Sequence, residues 1–178
     1  MKNPTPAISL HWMLGSIHRT IALGFGSGLT RFAPGTAGTL LAWALYLSIQ
    51  TGFSNTVIVL LLILGFLYGC WACGISSKDL GRPDHGSIVW DEIIAFWLIL
   101  FFIGPTSLAI QLMAFVVFRF FDAIKPWPIS WLDQYFKKNI QTNLVSGVIW
   151  HGFGIMADDL VAALFTIILI LGIANWFV

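Results

Sequence analysis

Long uncharged apolar runs alternate along the chain with three polar patches, at residues 2–31, 78–92 and 119–159, and every charged side chain lies in one of them. A charge at the centre of a bilayer costs about 3 kcal/mol or more, so a chain that spans lipid keeps its ionisable groups at the ends of its spans or in a shared polar cavity. A helix crossing the hydrocarbon needs about 20 mostly apolar residues. Five segments meet or approach that length: 36–53, 56–75, 88–103, 106–124 and 157–177. Only Ser54 and Asn55 separate the first two, and only Gly104 and Pro105 the third and fourth. Such tight uncharged turns predict two helical hairpins. The expected fold is all-α: a polytopic membrane helical bundle of about five transmembrane helices, forming one domain over 1–178.

Short cytoplasmic loops are rich in Lys and Arg. Lys2, Arg19 and Arg31 precede the first span, Lys78 and Arg82 follow the second, and Arg119, Lys125, Lys137 and Lys138 end or follow the fourth. All fall on one side, which predicts an N-terminus inside, five crossings and a C-terminus outside. Residues 10–29 mix apolar positions with His11, His18 and Arg19 and read as an interfacial helix. Residues 134–150, with Lys137 and Lys138, read as a short amphipathic helix along the inner surface. No compact apolar region followed by a small-residue cleavage site opens the chain, so no removable signal peptide is expected.

Composition strengthens this picture. The 178 residues are 58% hydrophobic and 10% charged, against about 25% charged in soluble domains. A net charge of +1 offers no basic surface for nucleic acid. Cys70 and Cys73 form a C-x-x-C pair at the end of an apolar run, with no second Cys or His pair nearby, and read as helix packing.

In this topology the acids converge. Asp79, Asp84, Asp91, Glu92, Asp122, Asp158 and Asp159 all fall at the cytoplasmic ends of spans. Like charges packed into a low dielectric persist only if protons, bases or a cation neutralise them. A hard divalent cation is the simplest neutraliser, and Mg²⁺, which takes oxygen ligands, would be satisfied by two or three carboxylates and a substrate phosphate. Solvated helix caps are the alternative, favoured more for Asp84 and Asp133 than for pairs that lead straight into apolar runs. Adjacent helical residues point about 100° apart, so one member of each pair is expected to bind and the other to support.

Arg119 and Asp122 are i, i+3 neighbours, and Lys125 precedes Pro126. An Arg fork suits phosphate, although an internal Arg119–Asp122 ion pair is the competing reading. Gly24 to Gly28 and Ala33 to Thr39 are rich in glycine and small hydroxyls just before a helix, a setting that suits phosphate and close helix packing alike. His85, beside Asp84, is the histidine best placed for proton transfer. An ion-coupled transporter also carries membrane carboxylates, but it places them near mid-span, whereas here they gather at one face.

Three motifs in register, Asp84-His85-Gly86-Ser87-Ile88-Val89-Trp90-Asp91-Glu92, Phe118-Arg119-Phe120-Phe121-Asp122-Ala123-Ile124-Lys125-Pro126-Trp127-Pro128-Ile129 and Gly154-Ile155-Met156-Ala157-Asp158-Asp159, closely resemble the phosphatidylglycerophosphatase A family of bacteria. The stretch 24–39 is similar too. Arg31 and the length of 134–150 depart from the family pattern without touching the acids. The resemblance implies a Mg²⁺-dependent lipid phosphatase of the inner membrane, facing the cytoplasm, that turns phosphatidylglycerophosphate into phosphatidylglycerol and phosphate. Its metal would sit among Asp91, Glu92, Asp122, Asp158 and Asp159. Arg119, Lys125, Lys78 and Thr36 would meet the phosphate. Asp91 and Asp159 would also join the catalytic set with His85 and Asp84: water, or less readily a carboxylate, attacks phosphorus while His85 or Asp84 handles the proton. No C-x5-R, D-x-D-x-T or P-S-G-H pattern is present to supply another phosphatase chemistry.

Overall fold

The computed structural model describes residues 8–82, 85–138 and 145–176, and among these all regular structure is helical. Two short helices, α1 (Leu10–Leu14) and α2 (Ile17–Ala22), lead through a 3-10 segment (Gly24–Leu29) into α3 (Pro34–Gly52), α4 (Asn55–Leu80), α5 (Trp90–Ile103), α6 (Leu108–Ile124), α7 (Ile129–Lys138) and α8 (Val145–Trp176). Local chemistry sets these ends. Pro34 occupies the first turn of α3, where its missing N–H is no loss. The Ser107 hydroxyl accepts from Ile110 N at the start of α6. Gly81 (φ 63°) ends α4 in the left-handed region, its N–H bonded to Lys78 O and that of Arg82 to Ser77 O.

α5 is the centre of the bundle, enclosed by α3, α4, α6 and α8. Its 14 residues span only about 21 Å, short of the roughly 30 Å of hydrocarbon. It is buried on nearly all sides by those neighbours. Tryptophans fasten it: Trp97 Nε1 donates to Ala42 O (2.8 Å) on α3 and Trp90 Nε1 to Gly65 O (2.9 Å) on α4. Trp90 is therefore a buried bundle residue rather than the interfacial anchor its position at a span end suggests.

α4 and α8 cross closely where neither carries a side chain. A Cβ at Gly152 would collide with the Cys70 carbonyl, and one at Gly74 with the Val148 carbonyl; small residues give membrane helices this approach. The Ser77 hydroxyl donates to Arg82 O (2.6 Å) and takes the N–H of His151 Nε2 (2.9 Å), locking the end of α4 to α8. Cys70 and Cys73 are buried on α4.

α4 and residues Val145–Ile173 of α8 are long and apolar enough to cross a bilayer. The outer face of α6 adds a continuous exposed stripe, Leu108, Leu112, Val116, Phe120 and Ile124, while Gln111, Ala114 and Phe118 point inward. A soluble monomer rarely exposes so long an apolar stripe. Trp127, Trp131 and Tyr135, beyond the end of α6, are exposed as well.

Three expectations change. Helices joined by the two tight turns are not each other's main packing partners; α3 lies chiefly against α5, and α4 against α8. The interfacial segment 10–29 is not one helix, because it breaks between α1 and α2 and again where Phe25 (φ 53°) and Gly26 (φ 106°) leave helical geometry. Of the amphipathic helix expected over 134–150, residues 134–138 belong to α7, 139–144 lie outside the described residues, and 145–150 belong to α8, which is helical already at Val145, twelve residues ahead of the expected span. Val148, His151, Gly152, Ile155 and Met156 recur at i, i+3, i+4, i+7 and i+8 and are buried, a helical face packed on α4 and α7 rather than a surface strip. Asp158 and Asp159 consequently sit in the middle of a helix instead of at its end.

Candidate active site

The site forms where α5 begins, α6 ends and α8 passes between them. The start of α5 is fixed from below: Val89 N donates to Ala22 O (2.9 Å), and Gly28 touches the Ser87 carbonyl so closely that a Cβ there would overlap it. The glycine-rich segment thus braces residues 87–89 by close approach, the packing use of its glycines. With Trp90 opening the helix, Asp91 and Glu92 stand in its first turn.

Oxygens of Asp91, Glu92 and Asp159 lie within 4.8 Å of one another, and all three residues are buried. Among the described residues, Asp91 Oδ1, Glu92 Oε2 and Asp159 Oδ2 accept no hydrogen bond. Buried carboxylate oxygens without donors are costly, which fits a site for a hard cation. The Asp158–Asp159 pair divides as helical geometry requires: Asp159 faces the cluster, and Asp158 is ion-paired with Lys125. The Asp91–Glu92 pair does not divide, since both side chains reach inward from a first turn and Glu92 is one methylene longer.

Arg119 closes one side. It pairs with Asp122 at 2.7 Å and with Glu92 at 3.6 Å, and its Nη1 donates to Thr39 Oγ1 at 3.4 Å. Thr39 in turn donates to Gly35 O (2.8 Å). Gly35 leaves room here, because a Cβ would strike Glu92 Oε1 and the Arg119 guanidinium and push both side chains aside. Lys125 closes another side from its left-handed position at the end of α6 (φ 47°), bonding Asp133 at 3.1 Å as well as Asp158. Burial alone would pull the Lys125 ammonium down, but Asp158, Asp159 and Asp133 outweigh it and hold the ammonium above its ordinary range. Of the five carboxylates of the expected metal set, Glu92 and Asp122 are thus ion-paired with Arg119 and Asp158 with Lys125.

A family model described as "Phosphatidylglycerophosphatase A" matches residues 20–174, the whole of this site included. The chain belongs to that family. It is 38% identical over 174 residues to "Phosphatidylglycerophosphatase A" of Haemophilus influenzae, covering 98% of this chain and 96% of the relative. To the protein of the same name from Escherichia coli it is 39% identical over 142 residues, covering 80% of this chain and 74% of that one. No solved structure matches the chain.

Within this member of the phosphatidylglycerophosphatase A family, the remaining expected residues are placed unevenly. Thr36 is half-buried in the first turn of α3, and Lys78 is exposed in the last turn of α4. The His85 Nδ1 accepts from Ser87 N (3.2 Å), which puts the proton of the neutral ring on Nε2. Asp84 lies outside the described residues. Asp79, grouped with the converging acids by sequence, is instead held by Arg19 (2.8 Å) and His18 (3.3 Å) of α2, with Trp12 beneath the guanidinium at 4.5 Å. That cluster fastens the N-terminal segment onto α4. Gly35, Thr39 and the partnership of Asp133 with Lys125 are contributions that sequence did not assign. Only the glycine-rich setting of Gly35 hinted at them.

Proposed function

We propose that this chain hydrolyses the terminal phosphate monoester of phosphatidylglycerophosphate, with Mg²⁺, at the cytoplasmic face of a bacterial inner membrane. The observation that carries the reading is the convergence of the buried Asp91, Glu92 and Asp159 beside Arg119, inside a segment matched throughout by a phosphatase family. Asp91, Glu92 and Asp159 would hold the cation, with Asp122 and Asp158 bordering them. When bound, Mg²⁺ neutralises phosphate charge and lowers the pKa of a water.

The protein's own groups do the rest. Arg119, fixed by Asp122 and Thr39, faces phosphate charge and holds Glu92 in place. Lys125 offsets Asp158, so that Asp159 alone of that pair turns to the cluster. Water attacks phosphorus, the bond from phosphorus to the glycerol oxygen breaks, and that oxygen takes a proton. The imidazolium form of His85, left as the neutral ring after donating, is suited to supply it, with Asp84 as the second candidate and the proton lost by the attacking water restoring the donor. Lys78 and Thr36 extend the cationic and hydroxyl surface on the phosphate side.

Five crossings by α3, α4, α5, α6 and α8 account for the apolar runs. The cytoplasmic setting of the site follows from Lys and Arg collecting at its end of the bundle, with Gln50, Thr51, Asn55 and Thr106 at the other. Nothing in the family supports the transporter reading. Purified chain in detergent is expected to release phosphate and phosphatidylglycerol one for one from phosphatidylglycerophosphate. No release of either would remove the proposal.

A further inference from the structure

An apolar groove of about 240 Å³ lies between α4, α5 and α8, lined by residues that include Leu62, Phe66, Leu67, Ile94, Leu98 and Leu160. Its position, rather than its apolar lining, is informative. Ile94 and Leu98 follow Asp91 at i+3 and i+7 on one face of α5, and Leu160 adjoins Asp159 on α8. The groove thus begins about one helical turn beyond Asp91 and follows α5 for about 6 Å, from Ile94 to Leu98, at 1.5 Å per residue. Leu67 and Ile63 on its rim are exposed, so it opens sideways to lipid.

We propose that this groove seats one acyl chain of the phospholipid whose phosphate occupies the carboxylate site. The inference rests on the phosphatase reading and adds to it the way the lipid is oriented. A tail gains little by leaving a bilayer for an equally apolar groove. The groove therefore positions the substrate rather than adding affinity: a chain lying along α5 from Ile94 to Leu98 fixes where its head group meets Asp91, Glu92 and Asp159. Misplacement by about an ångström is enough to slow an oriented reaction by orders of magnitude.

The test compares phosphatidylglycerophosphate carrying long chains with the deacylated head group, glycerophosphoglycerophosphate. Ile63→Trp and Leu98→Trp would fill the groove from its rim and its floor, and Leu64→Trp, on the exposed lipid side of α4, is the control. Expected is a loss on the order of tenfold or more in kcat/KM for the long-chain lipid, with the deacylated ester unchanged, so that their ratio collapses in both groove variants but not in the control. Because the ratio is taken within each protein, a partly misfolded fraction cancels. A wild type active on the lipid, with groove variants that keep the wild-type ratio, would overturn the groove assignment and leave the phosphatase reading intact. A changed oligomer mass with an unchanged ratio would also overturn it, giving the groove to a second copy of the chain. A wild type active on neither ester would instead overturn the phosphatase reading and this one with it.

Discussion

Asp91→Asn and Asp159→Asn are each expected to cut phosphate release from phosphatidylglycerophosphate by at least about a hundredfold, beyond what loss of a group merely supporting a ligand causes. The shape of each side chain is nearly kept, so the loss reports charge and cation binding rather than packing. The double variant should be hardly worse than either single one, since residues acting as one unit are not additive. Glu92→Gln should behave similarly and should also loosen Arg119, which Glu92 holds at 3.6 Å. Single-turnover rates with purified variants check this. Near wild-type turnover in Asp91→Asn or Asp159→Asn would remove those carboxylates from the reaction.

Lys125→Met is expected to be the most destabilising of the conservative changes at the site. It leaves the buried Asp158 and the half-buried Asp133 without the ammonium that joins them. Breaking a buried pair by removing one partner costs about 3–5 kcal/mol. The Lys125 side chain is 24% exposed, so the low end, about 3 kcal/mol, is the expected loss. For a chain of this size that corresponds to a fall in Tm of roughly 10 °C. Adding Asp158→Asn should restore most of it, because the uncompensated charge is then gone. Thermal unfolding in detergent of the single and double variants decides the matter, and a double variant no more stable than Lys125→Met would show that Lys125 acts through packing alone.

Much of the fold is legible in the sequence because punctuation coincides with the apolar runs. Asn55 and Pro105 stand at turns, and the helices begin and end within a few residues of the expected 56–75, 88–103 and 106–124, except that α4 continues to Leu80. Ser76 and Ser77 are buried in that extension, where α8 and α2 cover residues that hydropathy alone would leave in water. The early start of α8 escaped for the same reason. Tertiary packing on α4 and α7 recruits residues 145–156, whose helical periodicity is present but diluted by Trp150 and His151. In the site, the acids that matter are visible as doublets leading into apolar runs. Their division of labour is not, because it depends on contacts between distant segments. Lys125 reaches Asp158 across 33 positions, Arg119 reaches Thr39 across 80, and Asp79 is claimed by Arg19 across 60. Spacing along one helix can show that Asp158 and Asp159 diverge, but not which of them meets the cluster.

The central claim is that the buried carboxylates hold a divalent cation without which the lipid phosphate is not cleaved. Its most direct test is a Mg²⁺ titration of chelator-stripped protein, following phosphate release from phosphatidylglycerophosphate in the wild type and in Asp159→Asn. The account predicts no turnover in EDTA, full recovery of the wild type on adding Mg²⁺, and a variant that needs far more Mg²⁺ or never recovers. Undiminished turnover by the wild type in EDTA would contradict it.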